Sequence, residues 1–270
     1  LLCLTGCGQK GEREYTIMFM PKLTGIPYFT ACQKGAMEAG KELGVKVVYD
    51  GATKADSNEQ TQLLERWIAS DSYDAFVVAC NDPKRVANAL KNARDKGKLV
   101  VTYDADCKKE ARQFFVNMAT YDAVAEEMVE VMAEQLTPKG TGKVGILTSH
   151  LDAPNQKQWA DRIKAYAKKK YPKMIVLDEE THGEDRAKGI QRAKAMINAH
   201  ADLKGIIGLT SIAVPAAAEA VAQENKVGKI VVTGVSTPRD MKKHVDNGTV
   251  KEFVLWNPVD LRYLSVYVAD

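Results

Sequence analysis

The sequence predicts an α/β protein in which two doubly wound parallel-sheet lobes are joined by a hinge. From Tyr15 onward, short β-branched or apolar runs alternate with amphipathic stretches whose apolar residues recur at three-to-four spacing. Parallel strands need crossover connections, usually helices, so this alternation indicates parallel sheets flanked by helices. The segment 138–142, Pro-Lys-Gly-Thr-Gly, interrupts the alternation midway, and together with nine predicted strands it favours two sheets over one.

Each predicted strand is a β-branched or apolar run that ends in a polar turn. In chain order, the predicted strands are 15–20, 45–50, 75–80, 99–104, 144–148, 175–178, 205–209, 230–234 and 252–256. Helices are predicted between them, near residues 29–43, 57–70, 83–96, 121–136, 156–170, 184–199, 213–225 and 238–246. The alternation breaks near residues 118–121 and 255–258, where we expect the chain to pass between lobes. The predicted first lobe therefore comprises residues 15–119 plus 258–270, and the predicted second lobe comprises residues 120–257.

Length and composition disfavour several classes of protein. A chain of 270 residues is long enough for one large domain or two ordinary ones. With 45% hydrophobic and 27% charged residues, its composition is that of a globular protein and not of a collagen-like, disordered or multi-span membrane protein. The 38 basic residues nearly balance the 35 acidic ones, and no basic stripe with interleaved aromatics occurs. A nucleic-acid binder is therefore disfavoured.

The N-terminal residues predict a lipid anchor. The stretch 4–7 reads Leu-Thr-Gly-Cys and matches the bacterial lipobox, which ends in a cysteine that becomes acylated. Because a signal peptide has about 15–30 residues before that point, residues 1–14 are expected to be a truncated signal-peptide remnant followed by a polar tether. Acylation of Cys7 would hold the protein outside the cytoplasmic membrane, in the periplasm or at the cell surface.

Motifs for metal or nucleotide binding have little support in this sequence. Gly140, Gly142 and Gly145 satisfy G-x-G-x-x-G, but they precede and enter a predicted strand, whereas a dinucleotide fingerprint follows a strand and opens a helix. The histidines and the cysteines after residue 14 form no C-x-x-C and no paired-histidine motif. They are His150, His182, His200, His244, Cys32, Cys80 and Cys107. We therefore expect no metal, no cofactor and buried thiols that act as small hydrophobic residues.

Polar residues collect after the carboxyl ends of the predicted strands, which is where open α/β sheets bind ligands. The loops concerned are 21–29, 104–106, 152–159, 210–215 and 256–258. Their carboxylates, amides, lysine and aromatic rings suit a small neutral polyol better than a phosphate or a peptide. Taken singly, Asp104 or Asp106 could cap a turn, whereas Asn155 could cap a helix and Pro215 could open one. Their combination at one end of two sheets favours a cleft.

Five segments, most of them in these loops, match a known family. The segments are 21–29 (PKLTGIPYF), 102–106 (TYDAD), 155–159 (NQKQW), 214–218 (VPAAA) and 248–258 (GTVKEFVLWNP). They resemble periplasmic sugar-binding proteins of ABC importers, and more narrowly the branch that contains rhamnose-binding proteins and autoinducer-2 receptors. The resemblance covers nearly all of residues 15–270 and implies a type I periplasmic binding protein fold, whose two lobes close on a ligand. The predicted ligand contacts are Lys22, Tyr28, Phe29, Asp104, Asp106, Asn155, Gln156, Pro215, Ala217 and Asn257.

Two positions depart from the autoinducer-2 receptors of this group. Those receptors carry an acidic residue where this chain has Asn155 and again where it has Asn257, whereas the stretch 255–261 is closer to rhamnose-type members. A rhamnose-like monosaccharide is therefore the expected ligand, with autoinducer-2 as the alternative. Members of the family also continue beyond the equivalent of Asp270, so the chain is expected to be clipped at both ends.

The resemblance implies a lipid-anchored binding protein that delivers its ligand to an ABC permease and catalyses no reaction; we expect it to be a monomer. Two other classes have specific requirements. The effector domain of a LacI-type repressor shares this fold but would need a helix-turn-helix before Tyr15, where the lipobox and tether stand. A glycosidase would use Asp104 and Asp106 as an acid–base pair. Alternate residues of an extended segment point to opposite sides, which disfavours a shared target for these carboxylates.

Overall fold

The computed structural model describes residues 13–270 as two parallel β-sheets, each with helices on both faces. Cys7 and the rest of the predicted lipobox lie outside the described residues. Within residues 13–270, no helix has the length and apolar character that crossing a membrane requires. The predicted class, α/β with two parallel-sheet lobes, is confirmed.

The first sheet has five parallel strands in the order β2-β1-β3-β4-β5. They are β1 (Thr16–Met20), β2 (Lys46–Tyr49), β3 (Ala75–Val78), β4 (Leu99–Tyr103) and β5 (Phe114–Val116). β1 and β3 are buried along their whole length, which explains their nearly uninterrupted apolar sequences. Because successive side chains alternate between the two faces, Phe19 packs on one side of the sheet and Met18 packs on the other.

Helices from both ends of the chain cover this sheet. α1 (Pro27–Leu43) and α9 (Pro258–Ala269) pack on the face that carries Phe19. α2 (Ser57–Ala69) and α3 (Ala87–Asp95) pack on the face that carries Met18. α1 and α9 approach closely at Gly35, where a Cβ atom would lie 2.3 Å from the carbonyl oxygen of Val259. This contact between the two helices therefore requires glycine.

The second sheet has four parallel strands in the order β7-β6-β8-β9. They are β6 (Gly142–Thr148), β7 (Met174–Thr181), β8 (Leu203–Gly208) and β9 (Val231–Gly234). α4 (Tyr121–Gln135) and α5 (Pro154–Lys170) pack on the face of Ile146. α6 (Arg186–Ala199), α7 (Ala213–Gln223) and α8 (Pro238–Asp246) cover the face of Leu147. Gly142 and Gly145 lie inside β6 and open no helix, so the glycine-rich stretch is not a dinucleotide-binding turn.

The chain passes from one sheet to the other after β5 and again after α8. The first passage leads into α4, which packs on the second sheet, and the second leads into α9, which packs on the first. In the second passage, Val254 forms an isolated parallel bridge with Val235, directly after β9. The lobe boundaries stay a prediction, and the packing of α4 and α9 favours them.

Four elements differ from those predicted. β5 is a three-residue edge strand, too short for a periodic signal. The predicted strand 252–256 makes only the Val254 bridge, because this segment crosses between sheets. β7 runs to Thr181, three residues past its predicted end; it is an edge strand whose polar residues 178–180 are partly exposed. α9 has apolar residues on most sides and lacks the amphipathic pattern from which helices were predicted.

Candidate functional site

A cavity lies at the carboxyl ends of both sheets, where open α/β sheets bind ligands. Loops after β1, β4, β7, β8 and β9 contribute to it, together with the first turns of α1 and α5 and the passage before α9. The lining residues are Lys22, Ile26, Tyr28, Phe29, Asp104, Asn155, Gln156, Trp159, Glu184, Leu209, Thr210, Ser211, Val235, Ser236 and Trp256. Parallel strands bring these loops to the same edge, so side chains distant in sequence meet.

Asp104 lies on the first-sheet side of the cavity between two cations. Tyr28 Oη donates a 2.7 Å hydrogen bond to Asp104 Oδ1. Lys22 Nζ lies 3.7 Å from Asp104 Oδ2, and Arg262 Nη2 lies 3.7 Å from Asp104 Oδ1. All four side chains are buried. The two cations compensate the buried carboxylate, and Oδ2 retains the capacity to accept a hydrogen bond from a ligand.

Arg262 reaches this cluster from α9 and lies behind Tyr28, outside the cavity lining. Its Nη2 donates a 2.9 Å hydrogen bond to Tyr28 Oη, and Trp256 Nε1 donates to the same oxygen at 3.1 Å. The guanidinium carbon lies 4.8 Å from the ring centroid of Tyr28 and 4.6 Å from that of Tyr103. Burial raises the pKa of Tyr28 well above its usual range. The phenol therefore stays neutral and keeps its proton for Asp104.

Asn155 and Gln156 present the first turn of α5 to the cavity. Lys22 Nζ donates a 2.9 Å hydrogen bond to Asn155 Oδ1, which connects the loop after β1 to α5. The same oxygen accepts from the backbone N–H of Gln156 at 3.1 Å. Gln156 Oε1 accepts from Thr148 Oγ1 at 2.6 Å and from both N and Oγ of Ser149. Both amide oxygens are thus occupied within the protein, which leaves the two NH₂ groups to donate to a ligand.

Three buried atoms of the lining have no hydrogen-bond partner among the described residues. They are Trp159 Nε1, Glu184 Oε2 and Ser236 Oγ. An unpaired buried polar atom costs about 1–3 kcal/mol, so a ligand that pairs these atoms gains affinity. The indole donates only, the serine hydroxyl donates or accepts, and an ionised carboxylate accepts only. Burial raises the pKa of Glu184 to about 7, although the Lys22 ammonium acts in the opposite direction.

Aromatic rings form much of the apolar part of the lining. The Tyr28 and Phe29 rings meet edge to face, with centroids 5.1 Å apart. Trp256 lies 5.6 Å from Trp159 and 6.1 Å from Tyr28, between centroids. Because Trp256 stands in the passage to α9, these rings connect the first-sheet side of the cavity to α5. Their faces and edges can cover the C–H face of a ring-shaped ligand.

Most of the predicted ligand contacts reach the cavity. Those that line it are Lys22, Tyr28, Phe29, Asp104, Asn155 and Gln156. Asp106 does not: its carboxylate accepts from Arg112 Nη2 at 2.7 Å and Nε at 3.0 Å, and from Thr102 Oγ1 at 2.5 Å. These bonds tie Asp106 to the end of β4 and to the segment before β5, away from the cavity lining.

Three further predicted contacts lie outside the lining. Pro215 and Ala217 are buried in α7, where Ala217 packs into the core beneath the second sheet. Asn257 is exposed, and its Oδ1 accepts from the backbone N–H of Val259 at 3.0 Å, which caps the start of α9. Pro215 stands in the first turn of α7, as its helix-opening alternative expects, and Asn257 acts as a helix cap.

The sequence analysis did not identify Glu184 or Ser236. Glu184 follows β7, after which no candidate loop was predicted, and it was assigned to the start of a predicted helix, whereas α6 begins at Arg186. Ser236 follows β9 by two residues and was not assigned to any loop. The rule that ligands bind after strand carboxyl ends identifies both residues once the strand ends are known.

Comparison with known proteins identifies the family. The model of the periplasmic binding protein domain matches residues 17–270. The D-allose-binding periplasmic protein of Escherichia coli is 24% identical over 256 residues, which are 92% of this chain and 80% of that protein. LsrB from Clostridium saccharobutylicum, solved in complex with AI-2, is 26% identical with a TM-score of 0.90, covering 94% of this chain and 80% of that chain.

A second solved structure has the same fold. It is an ABC transporter solute binding protein from Clostridium phytofermentas with bound L-rhamnose, 23% identical, with a TM-score of 0.89 over 95% of this chain and 80% of that chain. The resemblance stated from the sequence motifs is thus confirmed. The chain belongs to the periplasmic binding protein family, whose members bind ligands and are not enzymes.

Proposed function

We propose that this chain is an extracytoplasmic receptor that captures a monosaccharide between its two lobes and delivers it to an ABC permease. The polar composition of the cavity carries the proposal. Asp104 and Glu184 offer acceptors, whereas the amides of Asn155 and Gln156 offer donors. Sugar hydroxyls both donate and accept, so a neutral sugar pairs with both kinds of group. The likeness to a D-allose-binding protein supports a sugar as the ligand class.

The two lobes are proposed to move as units made of residues 15–119 with 258–270 and of residues 120–257. The 2.9 Å hydrogen bond from Lys22 Nζ to Asn155 Oδ1 spans the two proposed units, as a closed arrangement requires. A ligand that contacts both units binds the closed arrangement more tightly than an open one and shifts the population toward it. The closed shape is then what the permease would recognise.

Cys7 is proposed to carry a lipid that anchors the protein outside the cytoplasmic membrane. The Leu-Thr-Gly-Cys stretch supports this, and membership in a periplasmic family supports the extracytoplasmic side. Mass spectrometry of the protein from its native host would find an acylated Cys7 as the first residue. An unmodified Cys7 within an uncleaved chain would contradict the anchor.

The proposed ligand is a deoxyhexose such as L-rhamnose, or a similar monosaccharide. Asn155 supports this choice of ligand, whereas Asn257, the other position that departs from the autoinducer-2 receptors, caps α9 at the surface. With its oxygen bonded to Lys22, Asn155 turns an NH₂ donor toward the ligand. An acidic residue at this position would offer an acceptor instead, so the two residues select ligands with opposite hydrogen-bonding groups.

Autoinducer-2 is the second candidate ligand. The likeness to LsrB solved with AI-2, at 26% identity and a TM-score of 0.90, favours it. Lys22 can donate a hydrogen bond to hydroxyls of either ligand, and Asp104 can accept one from them. Asn155 is therefore the residue that would distinguish the two candidate ligands. Autoinducer-2 receptors of this group carry an acidic residue at this position, so the NH₂ donor of Asn155 favours a monosaccharide over autoinducer-2.

A thermal-shift screen with L-rhamnose, D-allose, D-ribose and borate-free autoinducer-2 tests the proposal. A ligand at 100 times its Kd stabilises the protein by ~2.7 kcal/mol, which raises the Tm by roughly 5–10 °C for a chain of this size. We expect a monosaccharide to produce the largest shift. A shift with autoinducer-2 alone would favour the second candidate, and no shift with any of the four would contradict both.

A further inference from the structure

We infer that Glu184 is a specificity-determining residue of the cavity, whose carboxylate accepts a hydroxyl of a neutral sugar and makes the affinity for that sugar rise with pH. The inference rests on the proposed sugar-binding function. Three observations support it: the bonding state of the Glu184 carboxylate, the backbone that presents it, and the charges around it.

One oxygen of the Glu184 carboxylate, Oε2, lacks a hydrogen-bond partner among the described residues. This oxygen is buried in the cavity lining, and no cation of residues 13–270 lies within ion-pair distance. The other carboxylate of the cavity, Asp104, contacts Tyr28 and lies near two cations. A ligand hydroxyl that donates to Glu184 Oε2 would therefore supply a bond that the protein itself lacks.

The backbone at Glu184 indicates that the side chain is kept for a reason other than stability. Gly183 and Glu184 are the central residues of a turn closed by a 3.1 Å hydrogen bond from the N–H of Asp185 to the carbonyl of His182. Both central residues have left-handed φ angles, 62° and 58°. Such a turn favours glycine or asparagine, and a left-handed residue with a Cβ costs about 1–2 kcal/mol. Strain of this kind concentrates at functional sites.

The same strain occurs at the other cavity carboxylate. Asp104 has φ 60°, and its flanking residues close a tight turn through a 2.6 Å hydrogen bond from the N–H of Ala105 to the carbonyl of Tyr103. The turn at Glu184 is in turn fixed to the end of β6, because the N–H of Gly183 donates to the carbonyl of Ser149 at 2.9 Å. Both carboxylates of the cavity, Asp104 and Glu184, thus stand on turns with left-handed backbone.

The charged groups around Glu184 determine how its protonation responds to pH. Burial is the main cause of its raised pKa of about 7. Lys22 across the cavity and the nearby hydroxyls of Ser149 and Thr210 lower that pKa, and Asp104 raises it. Two histidines also lie near the turn. Burial lowers the pKa of His182 to about 4 and that of His150 below its usual value, and Asp185 and Lys188 act on His182 from the start of α6. Both imidazoles are therefore largely neutral above pH 6.5, where Glu184 still titrates.

The direction in which sugar affinity changes with pH depends on which form of the Glu184 carboxyl group accepts the sugar hydroxyl. The ionised carboxylate accepts through Oε2, whereas protonation of that oxygen removes the acceptor, so binding favours loss of the proton. By linkage, affinity then rises as pH increases through the pKa of the empty protein. For a sugar that binds only the ionised form, a pKa of about 7 gives an increase of about fourfold between pH 6.5 and pH 8.

Calorimetric titration with L-rhamnose, D-allose and D-ribose at pH 6.5 and pH 8 tests the inference. The wild type should bind at least one sugar about fourfold more tightly at pH 8 and release protons on binding. Glu184→Gln should bind it at least tenfold more weakly than the wild type at pH 8, with no change between the two pH values. The matched control is Glu180→Gln on β7, whose side chain is 44% exposed and faces Arg192. It should behave as the wild type does.

Two further outcomes separate this inference from the proposed function. If no sugar binds the wild type, the proposed function fails. If a sugar binds the wild type and Glu184→Gln equally at both pH values, only the inference about Glu184 is overturned.

Glu184→Gly provides a second variant, because glycine relieves the left-handed strain. We expect it to raise the Tm of the sugar-free protein while it weakens sugar binding at least tenfold, and unchanged binding would overturn the inference.

Discussion

At the scale of single residues, Asn155 is where the two candidate ligands are distinguished. Lys22 Nζ and the backbone N–H of Gln156 both donate to its side-chain oxygen, so the orientation of the amide is fixed by the protein. The NH₂ group is what remains for the ligand. The sequence motif identified the position, but only the two contacts to its oxygen indicate which end of the amide a ligand meets.

Asn155→Asp should weaken monosaccharide binding at least tenfold. The substitution keeps an acceptor for Lys22 and replaces the donor toward the ligand by a second acceptor, a mismatch that costs about 1–3 kcal/mol when buried. Calorimetry measures the change. Asn58→Asp, at an exposed position in the first turn of α2, is the matched control and should leave the affinity unaltered. Equal affinities for Asn155→Asp and wild type would contradict the orientation described for this amide.

His182 and Glu184 should influence stability with opposite pH dependence. The folded pKa of His182, about 4, lies below its usual 6.5, so between these values the unfolded chain binds the extra proton and stability rises with pH. The folded pKa of Glu184, about 7, lies above its usual 4.5, so there the folded chain binds the extra proton and stability falls with pH. From pH 4.5 to 6.5 the two effects largely cancel.

Removing either group should reveal the contribution of the other. Relative to the wild type, the unfolding free energy of His182→Gln should change by about −1.4 kcal/mol per pH unit between pH 4.5 and 6.5, and that of Glu184→Gln by about +1.4 kcal/mol. Urea unfolding at three pH values in this interval measures both slopes, and contributions from other groups cancel in the differences. Two variants with the slope of the wild type would refute these protonation states.

Part of the site could be predicted because several of its residues stand in sequence motifs that resemble those of a known family. Lys22, Asp104 and Asn155 were identified in this way, and all three line the cavity. Asp106 and Asn257 stand in the same motifs but form an ion pair and a helix cap, which local sequence does not distinguish from ligand contacts. Glu184 was missed because its role depends on where β7 ends and on a turn with left-handed backbone.

At the scale of secondary structure elements, the strands and helices with a clear hydrophobic period were predicted to within a few residues. β1 and β3 are buried on both faces, and their apolar runs are unmistakable. The elements that were missed have no period of their own. β5 is a three-residue edge strand, and the passage 252–256 has a strand-like composition because Val254 and Trp256 pack between the sheets.

α9 carries a buried arginine that packs on the first-sheet side, so Arg262→Leu should destabilise the protein by about 1–3 kcal/mol. The change removes one of the two cations that lie near Asp104 among residues 13–270, keeps Lys22, and removes a donor to Tyr28. Chemical denaturation measures the loss. Arg186→Leu removes a 48% exposed arginine whose pairing with Glu219 is worth about 0–1 kcal/mol, which makes it a matched control. Equal midpoints for Arg262→Leu and wild type would contradict this account of α9.

At the scale of the whole molecule, the proposed lobes should close when sugar binds. Ser57 of the proposed first lobe and Asp152 of the proposed second lobe line the same surface depression. The thiols of Cys32, Cys80 and Cys107 are buried, so once Cys3 and Cys7 are replaced by serine, labels attach selectively to cysteines introduced at the surface. These positions therefore suit a distance measurement between spin labels.

Spin labels on Ser57→Cys and Asp152→Cys should give a distribution of label-to-label distances that shifts to shorter values when the monosaccharide is added. A ligand held by both lobes favours the closed population. Labels at Ser57→Cys and Lys96→Cys, both in the proposed first lobe, should show no change and serve as the control. An unaltered distance between positions 57 and 152 in the presence of saturating sugar would contradict lobe closure.

The central claim is that the cavity around Asp104 binds a monosaccharide, and calorimetric titration of the wild type and Asp104→Asn tests it most directly. L-rhamnose or another monosaccharide should bind the wild type saturably at one site, more tightly than borate-free autoinducer-2. Asp104→Asn should weaken that binding at least tenfold, because it replaces one carboxylate oxygen by an NH₂ group, which cannot accept a hydrogen bond from the ligand. Asp95→Asn, an exposed control on α3, should not. Absence of binding for every monosaccharide, or binding that Asp104→Asn leaves intact, would contradict the account.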